Sequence, residues 1–98
     1  MAMQHVEFLA QATEEASEAR LWYAARSSDA AAGFIEELHR GVARIEESPQ
    51  RWPNYLHGTR RYRLHRFPFL LVYRIMTDRI EVVACQHAHR RPGYWRGR

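Results

Sequence analysis

A chain of 98 residues, 46% of them hydrophobic, suffices for one domain spanning residues 1–98. Such a domain buries about two thirds of its unfolded surface, so no metal or disulfide staple is needed. Its single cysteine excludes an internal disulfide framework. The net charge of +4 hides a segregation: residues 1–50 carry four Arg against nine acids, residues 51–98 eleven Arg against two, and there is no Lys.

Arginine forks onto phosphate and carboxylate groups and stacks on aromatic rings, so the second half suits a nucleic acid or an acidic peptide. The opening MAMQHVEF has neither the basic start nor the apolar stretch of a secretion signal. The longest apolar run is too short for a bilayer span. A cytoplasmic location without a membrane partner is expected.

Val6 to Leu9 places Val6 and Phe8 on one face and predicts a short first strand ending near Ala10. Thr13 is the expected N-cap of a first helix, with Glu14, Glu15 and Glu18 where a helix N-terminus favours negative charge. Ala16, Ala19, Trp22, Tyr23 and Arg26 fall on one helical stripe, so this helix extends to about Arg26, with Trp22 and Tyr23 read as packing residues. Ser27-Ser28-Asp29 breaks the pattern and caps a second helix, whose apolar positions are Phe34, Ile35, Leu38, Val42 and Ile45. It stops at Ser48-Pro49, because a residue before proline is pushed out of the α region. The two form a helical hairpin with one apolar stripe each, which a sheet must cover.

Residues 48–59 read as a loop, with Trp52 and Tyr55 available to anchor it. Arg60 to Phe67 alternates, Tyr62 and Leu64 opposing Arg61, Arg63 and His65, as in a half-buried strand. Phe67-Pro68-Phe69 turns the chain into a nearly continuous apolar run, Phe69 to Ile75, the expected central strand. Thr77-Asp78-Arg79 closes a hairpin with Ile80 to Cys85. The predicted order is βααβββ, an α+β fold with a helical hairpin on one face of a small, antiparallel-rich sheet. Strict alternation leaves the other face open and puts on it Arg61, Arg63, His65, Leu70, Val72, Arg74, Glu81, His87 and His89, with Cys85 on the same side as the two histidines.

Two chemistries fit these residues. His87 and His89, beside Arg90, could serve as general base and acid for RNA cleavage with the 2′-hydroxyl as nucleophile, since imidazole titrates near neutrality and arginine stabilises phosphate charge. Alternatively Arg61, Arg63, Arg74, Arg91, Tyr94 and Trp95 form a target-binding surface of cations and aromatic rings. Cys85, His87 and His89 lack the paired, separated spacing of a structural zinc site, so no metal and no cofactor is expected.

The segments Arg60-Arg61-Tyr62, Phe67-Pro68-Phe69 and Tyr73-Arg74, and the ending His87-x-x-Arg90-x-Pro92-x-Tyr94-Trp95, resemble in order and spacing the RelE/ParE superfamily of type II toxin-antitoxin toxins. The ParE-type plasmid-stabilisation branch is the nearest in pattern. This resemblance implies a growth-inhibiting toxin held in a hetero-oligomer with a cognate antitoxin, whose acidic segment would suit the arginine surplus. ParE-like members act on DNA gyrase without being nucleases. The alternative is a RelE-like, metal-independent endoribonuclease that cuts message in the ribosome, and a further one is a non-toxic nucleic-acid-binding domain. Ribosome-dependent members usually carry an arginine at the head of the central strand, where this chain has Leu70.

Overall fold

The computed structural model describes residues 4–98. Its elements follow the predicted order: β1 (Val6–Phe8), α1 (Ala10–Ala24), α2 (Ser28–Glu47), β2 (Arg60–Arg63), β3 (Phe69–Ile75) and β4 (Ile80–His87), with a short 3₁₀ turn at Leu56–Gly58 before β2. The four strands form one mixed sheet in the order β1-β4-β3-β2. β2, β3 and β4 are antiparallel neighbours, whereas β1 lies parallel to β4. The α+β architecture with both helices on one sheet face is as expected.

The helical hairpin seals that face because each helix aims one stripe at it. Ala12, Ala16 and Ala19 of α1 and Phe34, Leu38 and Ile45 of α2 meet Tyr62, Leu64, Leu71, Tyr73, Ile80 and Val82. Complete burial of a large apolar side chain such as Phe34, Ile45 or Leu71 stabilises by about 1.5–3 kcal/mol each. Within the predicted Ser27-Ser28-Asp29 cap it is Ser27 that caps α2, its hydroxyl accepting from the Ala30 amide at 3.2 Å. Gly41 permits the close approach of α2 to β2, since a Cβ there would lie 2.9 Å from Tyr62 Cε1.

Several expectations are corrected. The first helix begins at Ala10, not after Thr13: Leu9 occupies the cap, and the Thr13 amide already donates to the Leu9 carbonyl at 3.0 Å. Backbone pairing wins over the side-chain cap here, because the Leu9 amide is still held by Val82 of β4. Trp22 is not a packing residue: it is 54% exposed, while Tyr23 turns inward against Phe34 and Phe67. β2 ends at Arg63, after which Leu64–Pro68 turns with Arg66 at a positive φ of 70°. β4 continues to His87.

The largest correction concerns the sheet faces. Val72 pairs with Ala84 and Tyr73 with Val82, so Val83 is an extra residue, a β-bulge. A bulge shifts the alternation by one position, which sends Cys85 and His87 to the helical side instead of the Glu81 side. Nor is the second face open. Leu70, Val72, Val83 and Ala84 are buried there under Trp95, which is 3% exposed.

Candidate functional site

β2 carries Arg61 and Arg63 two positions apart, opposite Val72 and Leu70 of β3, on the face away from the helices. Their side chains therefore stand about 6.6 Å apart along the strand. With His65, Trp52, Tyr55 and Leu70 they line a concavity of about 410 Å³ that has no acidic residue in its wall. Arg61 lies 5.3 Å from the Tyr55 ring centroid, a cation–π arrangement that holds the guanidinium at the mouth. Tyr55 in turn packs against Trp95, so the buried tail supports this basic surface from behind.

Arg74, predicted to join this group, is committed elsewhere. It bonds Glu81 at 2.7 Å, and Arg79 grips the other oxygen of the same carboxylate at 2.7 Å. Hydrogen bonds from Arg74 first and Arg79 second hold the Glu81 carboxyl below the usual carboxylate range. The cluster ties the β3–β4 hairpin to its own turn and leaves little of the Arg74 charge for a partner.

His87 stands on the helical side, its ring edge-on to Phe69 at 5.1 Å. The rings of His87 and His89 are 5.5 Å apart, and the His89 amide donates to His87 Nδ1 at 3.1 Å. Arg90 lines the same cleft between α1 and β4 as His87, but its guanidinium covers the Tyr94 ring at 3.4 Å and reaches toward Glu15 at 3.5 Å. Thus the sheet separates His87 from Arg61 and Arg63, and the arginine beside the histidines is occupied. Cys85 is an inert thiol, its pKa pushed up by burial to about 12.

Of the remaining predicted contact residues, Arg91 is exposed and Tyr94 half-buried. Burial, then the nearby Glu15, raises the pKa of the Tyr94 hydroxyl. Trp95 offers no surface, because its ring is buried and its Nε1 donates to Gln86 at 2.9 Å.

Two residues that organise this end of the molecule escaped the sequence reading. Gln86 is almost fully buried as the partner of Trp95. Glu15 accepts from the Cys85 amide at 3.0 Å and receives both Arg98 nitrogens at 3.0 and 3.1 Å. Neither carries a local signal: Glu15 reads as an ordinary acid near a helix start, and its partners lie 70 and 83 positions away.

Comparisons with known proteins agree with this architecture. No curated protein gives a significant match. Among solved structures, a chain titled "Chromosomal ParDE TA system from P. aeruginosa" superposes with a TM-score of 0.76 over 87% of this chain and 96% of that one, at 16% identity, a likeness of fold. The family described as "ParE toxin of type II toxin-antitoxin system, parDE" matches residues 6–92. From Val6 through Pro92, across every strand and both helices, the chain belongs to the ParE toxin family, the toxin component of type II toxin-antitoxin systems.

Proposed function

We propose that this toxin arrests growth by binding DNA gyrase, with Arg61 and Arg63 as its principal contacts, and that Arg91 and Tyr94 extend the surface. The observation that carries this reading is the acid-free basic concavity on the β2 side, lying across the sheet from His87. A nuclease would need an imidazole and a phosphate-stabilising arginine facing one reacting group within hydrogen-bond reach. Arg90 shares a cleft with His87 but is stacked on Tyr94 and drawn toward Glu15, and Arg61 and Arg63 of the concavity lie on the other sheet face. A binding role needs exposed cations, and Arg61 and Arg63 are exposed.

The test is induced expression in a bacterial host lacking the antitoxin, with plasmid supercoiling and message 5′ ends mapped in the same culture. Altered supercoiling with intact message is expected. Arg61→Ala together with Arg63→Ala should relieve growth arrest with the far-UV spectrum of the chain unchanged. Codon-phased cuts in message, abolished by His87→Ala, would replace this reading with ribosome-dependent cleavage. Normal growth with neither change would remove it.

A further inference from the structure

The turn that joins β2 to β3 carries two costs that a plain connection would avoid. Arg66 holds a left-handed backbone at φ 70°, where glycine or asparagine sits with less strain. Glu37, in the middle of α2, is only 3% exposed, and burying a carboxylate is unfavourable unless it is paired. Both costs fall on one short segment. Backbone strain of this kind persists only where surrounding contacts over-determine it, and it concentrates where a side chain must be placed.

Contacts from α2 supply that determination. Glu37 Oε1 accepts from the His65 amide at 3.1 Å, while Arg40 donates to Oε2 at 2.6 Å, so both oxygens are used. One helical turn earlier the Arg66 guanidinium lies over Gly33, 3.5 Å from where a Cβ would stand. Positions 33 and 37 share a face of the helix, so α2 grips two consecutive turn residues, one by its backbone and the other by its side chain. The Leu64 amide still bonds the Phe69 carbonyl at 2.9 Å, and Leu64 is buried beneath the helices. His65 is therefore turned to the opposite face, exposed, beside Arg61 and Arg63 in the wall of the basic concavity.

His65 differs chemically from these two neighbours. A guanidinium donates and never accepts, so Arg61 and Arg63 select carboxylate, phosphate or carbonyl oxygens. Neutral imidazole carries one donor and one acceptor nitrogen, and it can therefore recognise a donor that an arginine would repel.

We propose that His65 is a third contact residue of the basic concavity and that Glu37 is the residue that positions it. This rests on the concavity being the surface by which the toxin binds its target. The two arginines draw in an acidic patch, and His65 accepts from a hydroxyl or N–H beside that patch. Its contribution is orientation rather than charge, which is why its backbone is fixed from α2.

Growth arrest reads this contact whatever the target is. The chain and its variants are induced to equal abundance in a bacterial host lacking the antitoxin, and viable counts are taken together with plasmid supercoiling. His65→Ala should raise survival at least tenfold, with the far-UV spectrum and melting midpoint of the purified chain unchanged. Glu37→Ala should raise survival to a similar degree and accelerate exchange of the His65 amide, with the amides of α2 still protected. Glu37→Gln, whose carbonyl can still accept from that amide, should retain arrest. The double variant should survive no better than His65→Ala alone, because Glu37 acts through His65. His39→Ala, an exposed histidine of α2, should arrest growth as the wild type does.

Undiminished arrest by His65→Ala overturns the proposal, and so does a wild type that arrests nothing. An effect of Glu37→Ala that adds to that of His65→Ala, or that Glu37→Gln shares, overturns the positioning role and makes Glu37 a structural support. Relief by His65→Ala in a host whose supercoiling the wild type leaves unaltered supports the His65 contact while removing gyrase as the target.

Discussion

On one face of the sheet, helices of 15 and 20 residues lay regular apolar stripes over Tyr62, Leu71, Tyr73 and Val82. On the other, an irregular stretch after β4 places one indole, Trp95, over Leu70, Val72, Val83 and Ala84. The first cover is periodic and shares its load among many side chains. The second is aperiodic and depends on a single large ring, one buried amide partner and a clamp between Arg98 and Glu15. A face held by one anchor can open locally without loss of the rest, because few buried contacts join it to the helices.

The largest effect should come from removing that anchor. Trp95→Ala deletes a fully packed ring and strands the buried Gln86 carboxamide, a change that costs about 3–5 kcal/mol. The expected result is fast amide exchange at residues 93–98 and a lower denaturation midpoint, with the slowest amides of α2 still protected under native conditions. Phe34→Ala, of similar nominal cost, should instead accelerate exchange throughout the helices and sheet. Equal loosening of both faces by Trp95→Ala would show that the two clusters form one cooperative unit.

The same contrast explains what was legible beforehand. Phe34, Leu38 and Ile45 recur at helical spacing, and the seven-residue apolar run of β3 announces a covered central strand, so the helix-covered half and its element order could be read directly. The bulge at Val83 has no such signature: Ile80 to Cys85 looks like an uninterrupted strand, and the extra residue is revealed only by the Val72 and Tyr73 register. One residue of slippage moved His87 and Cys85 to the opposite face. The arginines of β2, which lie on a strand without a bulge, kept the face that alternation assigned them. Tail packing was equally hidden, because Trp95 meets Gln86 and Tyr55 through tertiary contacts that no local pattern encodes.

A smaller, opposite perturbation probes the helix-covered face. Gly41→Ala would place a methyl 2.9 Å from Tyr62 Cε1 and 3.2 Å from Leu64 Cδ2. The Tyr62 ring is itself braced edge-on by Trp52 at 4.7 Å and has little room to retreat. Overpacking costs about 1–3 kcal/mol, offset in part by the gain of about 1 kcal/mol in helix propensity. A net loss of stability is expected by urea denaturation, with the exchange of residues 93–98 unchanged. A stabilised variant would mean that α2 can move off β2 freely, contrary to a closely packed helical face.

The smallest effect lies where the two faces meet at the β3–β4 turn, at Glu81. Both Arg74 and Arg79 are about one third exposed, so solvent screens the pair, and Glu81→Gln should cost no more than about 1 kcal/mol at neutral pH. Its pH dependence is the sharper readout. Because the folded carboxyl is held below its ordinary value near 4.5, the contribution of Glu81 is complete above that value. It disappears as pH falls through the depressed folded value. Acid titration followed by circular dichroism should therefore show the wild type losing its advantage over Glu81→Gln as pH drops below about 4.5, with the two curves converging in stronger acid. A constant offset at every pH would assign the cost to altered packing of the amide rather than to the arginine-held charge.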